Sequence, residues 1–524
     1  MHDNRCLNKA QKIQHLKSKV RGEAERIKQH LHITAENYDT AWDLLTHSVP
    51  ENCFAGFSHL KYLNLSHNSI SYLSVAAFEG ISQLESLYLS YNKLSSIANI
   101  AIKLRNLKSL DLSNNNLKYV GNYTFSNSTV RSINLSTNAI SEIKTLTFSS
   151  VSDLQELDLS NNALTTLAFL NLGCGSDLKK LYFHKNMVDK VSNNTFAKVP
   201  SLEHLDLSYN VIQSIESGAF IHLKKLENLL LHNNRLFSIQ IINLEGLSAL
   251  LKFDLSYTEI GNFTKAAVSG LKTTIFNCSH AELSYIHFDT FAEVEHIDIL
   301  DLSYNSLVTF EINPKGISSV ESLYLNNNQI TSISNVSFAG FIELQTLHLE
   351  FNNIVNIHPK AFSTLKSLKI LNLSDNKDLQ VTGDVFSNLR GLASLTMMNN
   401  KKSFDFQHTE NASFEQDTTI HNNRDVDANN VSNRAQYFPP DCAATLSWWG
   451  GFRALMIPKA MPDSATHTGQ ACGGGARLRA AHCGGPTPGT TLISRADWDV
   501  DVRRQSAALQ RGSSERLRGG FRRL

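Results

Sequence analysis

The sequence predicts an α/β-type repeat solenoid, a horseshoe of about 15 turns with a parallel β-sheet on its concave face. Three observations predict it. A dozen residues, Ser201 to Ile212 (SLEHLDLSYNVI), return about every 24 positions with the skeleton Leu202-x-x-Leu205-x-Leu207-x-x-Asn210-x-Ile212. With the Asn as origin, the frame recurs at Asn68, Asn92, Asn115, Asn138, Asn162, Asn186, Asn234, Asn305, Asn328, Asn352, Asn376 and Asn400, and two further units carry Thr258 and Ala281 there. Two more apolar positions travel with the frame. Five residues after the Asn stands Leu73, Val120, Val191, Ile215, Phe263 or Ile333, and ten after it stands Phe in nine units, among them Phe125, Phe196, Phe220 and Phe338.

Each element of the frame has a physical reason. In Leu-x-Leu the side chains alternate faces, so both leucines enter one layer and the middle residue faces solvent. The Asn stands where the chain leaves the strand, and its short amide bonds backbone groups that the turn leaves without sheet partners. One unit cannot bury its apolar positions alone, so neighbouring turns close the core. At a strand spacing of ~4.8 Å, fifteen turns trace an arc of roughly 70 Å. In the last unit the two apolar offsets become Asp405 and Glu410, which stops the solenoid near residue 402.

This spelling is identified as a leucine-rich repeat and resembles the extracellular class found in Toll-type receptor ectodomains, chaoptin-like adhesion proteins and acid-labile-subunit-like proteins. The resemblance covers residues 51–402 and implies a module that recognises a protein ligand, co-receptor or pathogen molecule without catalysis or cofactor. It also implies cysteine-rich caps, which neither Cys53 nor the residues after Asn400 supply.

Residues 1–50 read differently. Ile13, Leu16, Val20, Ala24, Ile27 and Leu31 recur at helical spacing, and Thr34 can cap a second helix carrying Tyr38, Ala41, Trp42 and Leu45. The letters LKSKVRGEAERI and ITAENYDTAWDLL resemble the gag-like region of Pao/BEL retrotransposons, which implies an alternative function: a retroelement chimera assembling nucleoprotein, with the repeats as passengers. Residues 403–524 lose the frame. The repeat body uses 21 Lys and 4 Arg between Cys53 and Asn400, whereas 471–524 hold 10 Arg, no Lys and nine Gly, a composition read as a disordered tail. Within it, RAAHC (Arg479 to Cys483) is similar to the segment around a trypsin-like catalytic His, but no Gly-Asp-Ser-Gly-Gly follows.

Composition narrows the partners. A net charge of +1 makes a nucleic-acid partner unexpected. No apolar run is long enough for a spanning helix, and the first residues lack the apolar core of a secretory signal. As written, the chain is expected inside the cell, against the extracellular habit of the repeat type. Seven scattered Cys form no disulfide framework; Cys278 takes an inward strand position as a small buried hydrophobe.

The expected binding surface is the row of middle residues of Leu-x-Leu: Tyr88, Asp111, Asp158, Tyr182, Asp206, Leu230, Asp254, Asp301, Tyr324 and His348. Its aspartates suit a basic partner and its tyrosines are amphipathic anchors. Leu230 is the least expected residue on such a row. The His residues look scattered, with none at metal-ligand spacing, so no metal and no catalytic constellation is expected. Asn-x-Ser/Thr sites at Asn122, Asn127, Asn193, Asn262 and Asn335 are glycosylation candidates; others, such as Asn64 and Asn134, are spelled by the frame itself.

Overall fold

Every Leu-x-Leu frame becomes one short parallel strand in a computed structural model of the chain. It describes residues 57–400 apart from 98–103, 126–127, 145, 149–150, 152, 173–176, 239–243, 245, 266 and 382, together with 48–49, 54 and 419–421. The concave strands are β1 (Tyr62–Asn64), β2 (Ser86–Tyr88), β3 (Ser109–Asp111), β4 (Ser132–Asn134), β5 (Glu156–Asp158), β6 (Lys180–Tyr182), β7 (His204–Asp206), β8 (Asn228–Leu230), β9 (Lys252–Asp254), β10 (Lys272–Asn277), β11 (His296–Asp301), β12 (Ser322–Tyr324), β13 (Thr346–His348), β14 (Ile370–Asn372) and β15 (Ser394–Thr396). They pair in chain order in one parallel sheet, and a sixteenth strand, β16 (Thr419–His421), closes its far edge. The register advances by one repeat per strand: Leu181 faces Leu205, Leu205 faces Leu229, and Leu229 faces Phe253. Equal residues of successive units therefore stack in rows.

The interior is the apolar set of the frame. Leu202, Leu205, Leu207, Ile212 and Ile215 are fully buried and Phe220 nearly so. Each such side chain contributes about 1.5–3 kcal/mol of transfer free energy, set against the entropy of ordering the coil. The Phe rings stack between turns, with centroids 5.4 Å apart for Phe125–Phe148, 5.8 Å for Phe196–Phe220 and 5.9 Å for Phe338–Phe362. On the opposite side the five-after position also forms short strands. Two-residue strands pair there, as in Lys190–Val191 with Ser214–Ile215 and Ser332–Ile333 with Asn356–Ile357. The remaining connections include short 3-10 turns such as Val75–Phe78 and Gly383–Phe386.

The frame asparagines tie the stack together. Asn210 donates through Nδ2 to the carbonyls of Leu207 (3.0 Å) and Ser208 (3.2 Å) in its own turn and of Phe183 (3.1 Å) in the preceding one, and its Oδ1 accepts from Val188 N–H (3.1 Å). Asn92, Asn115, Asn186, Asn305 and Asn352 repeat this pattern. The amide thus satisfies backbone groups that would otherwise be buried without partners. The ladder changes at the two units without Asn. Thr258 Oγ1 reaches only its own Leu255 carbonyl (2.6 Å), and Asn305 accepts from both Ala281 N–H and Leu283 N–H. β10 and β11 lengthen there, adding the pairs Lys272–His296 and Thr273–Ile297.

Two short strands also lie outside residues 51–402. Ser48–Val49 pair with Tyr72–Leu73 and Val49 is fully buried. β16 pairs Ile420 with Leu395, beyond the last frame. Both are partial turns that satisfy an edge of a sheet without needing the full repeat spelling. The rest of the expected helical, gag-like and disordered segments, with Cys53, Cys174 and Asn127, lies outside the described residues. All described residues belong to one unit, Met1–Arg434.

Candidate protein-binding surface

The concave row is present in register, but its members are not equally available. Tyr88, Asp111, Asp158, Tyr182, Asp206, Leu230, Asp301, Tyr324 and His348 are half-buried, while Asp254 is only 3% exposed. Leu230, expected to stand free on this row, is therefore partly covered. The aspartates also have a local structural task besides the binding role expected of them. One carboxylate oxygen of Asp206 accepts from Ser208 N–H (3.0 Å) and the Ser208 hydroxyl (2.6 Å), and Asp158, Asp254 and Asp301 do the same with Ser160, Ser256 and Ser303. This Asx-type bond ends the strand. It leaves the second oxygen available for other contacts.

Two of these second oxygens, those of Asp206 and Asp254, meet histidines that look unrelated along the chain. His184 Nδ1 lies 3.1 Å from Asp206 Oδ2, and His232 Nδ1 lies 3.8 Å from Asp254 Oδ2, which is also 3.6 Å from Lys252 Nζ. These contacts arise because the register superposes residues one repeat apart, so 22 positions of sequence become one strand spacing. Linear spacing gave no sign of it. Among the described residues no group of three His, Cys, Asp or Glu is placed to hold a metal ion.

Burial sets the protonation of this cluster. Desolvation lowers the pKa of His204 and His232 against the pull of Asp206 and Asp254, and lowers that of His280 near Asp301. Asp206 is moved up by desolvation but further down by the nearby His184 and by hydrogen bonds from Ser208, for a net lowering. Asp301 is raised, chiefly by desolvation. Desolvation, with Glu156, Asp158 and Asp206 nearby, raises Tyr182, whose ring rests 5.0 Å from His204. Further along, Tyr324 stacks on His348 at 5.0 Å, and His348 Nδ1 lies 3.0 Å from Glu350 Oε1.

A second row runs along the C-terminal rim of the strands. The residue before each frame Asn, or before the Thr258 and Ala281 that replace it, is left-handed: His67, Tyr91, Thr137, Lys185, Tyr209, Tyr257, His280, Tyr304 and Phe351 have φ between 52° and 59°. For a bulky side chain this costs of order 1 kcal/mol per residue and persists because the Asn ladder over-determines the turn. The outcome is a rim of protruding rings, with Tyr91, Tyr209, Tyr257, Tyr304 and Phe351 each about half exposed (47–54%). The signal was in the sequence, as aromatic letters recurring one position before the Asn. Four glycosylation candidates (Asn122, Asn193, Asn262 and Asn335) are exposed and lie off the concave strands.

Comparison with known proteins agrees with this architecture. The family described as leucine rich repeat matches residues 44–94, 82–129, 128–174, 176–236, 311–353 and 342–401, which together make up over half of the chain and leave 237–310 unmatched. No curated protein sequence matches the chain. Among solved structures, the Toll chain of the Drosophila Toll–Spatzle complex is 22% identical, with TM-score 0.58, over 67% of this chain and 49% of that one. A leucine-rich repeat protein of Leptospira interrogans is 19% identical over 73% of this chain and 97% of its own, with TM-score 0.48. A chain of the LRIM1/APL1C complex is 20% identical over 67% and 55%, with TM-score 0.47. The chain spans about half the length of the Toll chain it matches.

Proposed function

The chain belongs to the leucine-rich repeat family, and on that premise we propose that it is a protein-binding module of cell-surface receptor or adhesion type, recognising a protein ligand or co-receptor on its concave face. The observation that carries this reading is the stacking of half-exposed Tyr182, Asp206, Tyr324 and His348 above a closed apolar interior. Such a surface is rigid, because each side chain rides on a strand bonded to two others, and it mixes aromatic anchors with oriented carboxylates. Its work is recognition by shape and polarity, without bond chemistry. Exposed Asn122, Asn193 and Asn335 share one position, seven residues after their frame Asn, and suit glycosylation in an extracellular setting without covering the concave strands. No described helix is long and apolar enough to cross a membrane.

The test is site-specific photocrosslinking of the full chain against secreted and cell-surface proteins. A photoreactive phenylalanine analogue in place of Tyr182 or Tyr324 is expected to capture a discrete partner. The same group in place of Tyr72 or Tyr119, which are 63% and 53% exposed on the opposite side, is expected to capture none. Capture from the second pair alone, or from neither, would overturn the reading.

A further inference from the structure

Three irregularities coincide in the turns around Thr258, Ala281 and Asn305. The Asn ladder is broken there, β10 and β11 lengthen, and the stretch falls in residues 237–310, where the family pattern fails. The rim above these turns also carries the longest ring stack on the rim among the described residues. Tyr257, His280 and Tyr304 form one three-ring stack, with centroids 4.2 and 4.3 Å apart and interplanar angles of 9° and 13°. Its outer rings are 47% and 49% exposed. Two residues after Tyr257 and His280, in the same turns, come Glu259 and Glu282, both exposed. A similar stack, His67–Tyr91 at 4.4 Å, has Ser69 and Lys93 in the matching places, so negative charge distinguishes the first.

We propose that the Tyr257–His280–Tyr304 rim, with Glu259 and Glu282, docks an arginine-bearing segment of a partner protein. This rests on the recognition function proposed above and names the chemistry of one contact within it. The same rim already shows the interaction in miniature: the Lys185 ammonium sits 5.6 Å from the centroid of the Tyr209 ring, both at the left-handed position of their turns. A guanidinium is the better match for the larger stack. It is planar and weakly hydrated, lies flat on an outer tyrosine ring, and still offers N–H donors to a carboxylate at the edge. The stack's rigidity means that no side chain must be ordered on binding.

The experiment measures fluorescence anisotropy of the full chain with a labelled peptide carrying arginine at every third position in a Gly/Ser background, and with its glutamate counterpart. The arginine peptide is expected to bind saturably and the glutamate peptide not. The double variants Tyr257→Ala/Tyr304→Ala and Glu259→Gln/Glu282→Gln should each weaken binding by about tenfold or more. Tyr91→Ala should leave it unchanged, and thermal melts of all variants should confirm that each is folded. The proposal is overturned by equal binding of the two peptides, by an equal loss in Tyr91→Ala, or by no saturable binding of the arginine peptide. None of these results touches the photocrosslinks from Tyr182 and Tyr324, which test the recognition function independently.

Discussion

Replacing Asn210 by Ala tests the ladder at a single rung. Three carbonyls lose a donor, but each keeps another: Phe183 O retains Asn186 Nδ2 at 3.1 Å, Leu207 O retains Asn234 Nδ2 at 3.0 Å, and Ser208 O retains Lys185 N–H at 3.0 Å. Val188 N–H does not, because its bond to Asn210 Oδ1 is the contact that satisfies it inside a fully buried residue. Orphaning that donor costs about 1–3 kcal/mol, and the lost amide donations add about 1 kcal/mol, so the local destabilisation should be near 3 kcal/mol. A solenoid frays by turns, so the right assay is local. Amide hydrogen exchange at Val188 should accelerate by roughly two orders of magnitude, since ~1.4 kcal/mol is tenfold. The exposed neighbour position in another turn, Asn116→Ala, should change stability by less than about 0.5 kcal/mol. If exchange at Val188 rises less than about threefold, the account of the Asn as a backbone-satisfying rung is wrong.

Other perturbations probe other layers. Phe220→Ala removes a 1%-exposed ring stacked on Phe196 and should cost about 3–5 kcal/mol by chemical denaturation. Gly316→Ala would place a Cβ 2.0 Å from the Phe291 carbonyl oxygen and should lower the melting temperature far more than Gly270→Ala, where φ is also positive but the space is open and the cost is about 1 kcal/mol. Phe351→Asn, at φ 56° on the rim, should stabilise by roughly 0.5–1 kcal/mol because Asn tolerates the left-handed region. The lowered pKa values of His204, His232 and His280 mean that folding favours their neutral forms. Stability is therefore complete above the ordinary histidine value of about 6.5 and declines as pH falls below it. Melting temperature measured across that range should drop on acidification, and His204→Gln/His232→Gln should flatten the profile.

The repeat body was legible in the letters because its physics is local and periodic. Leu205, Leu207, Asn210, Ile215 and Phe220 each need only their offset within one unit to declare a face, and every frame, the two without Asn included, became a strand of the sheet. The edges were less legible: Ser48–Val49 and Thr419–His421 pair with the neighbouring strands without carrying the repeat frame, although Val49 is buried in the core. Nor could composition alone show that Asp254 is covered while Asp206 is half-buried, or that Asp carboxylates spend one oxygen on the following Ser. The chain's own order thus determined the coil, its interior and the existence of a concave row. Stacking decided the rest. Residues 22 to 24 positions apart become neighbours at one strand spacing, so His184 meets Asp206, His280 lies between Tyr257 and Tyr304, and the chemistry of the surface belongs to pairs that no single repeat contains.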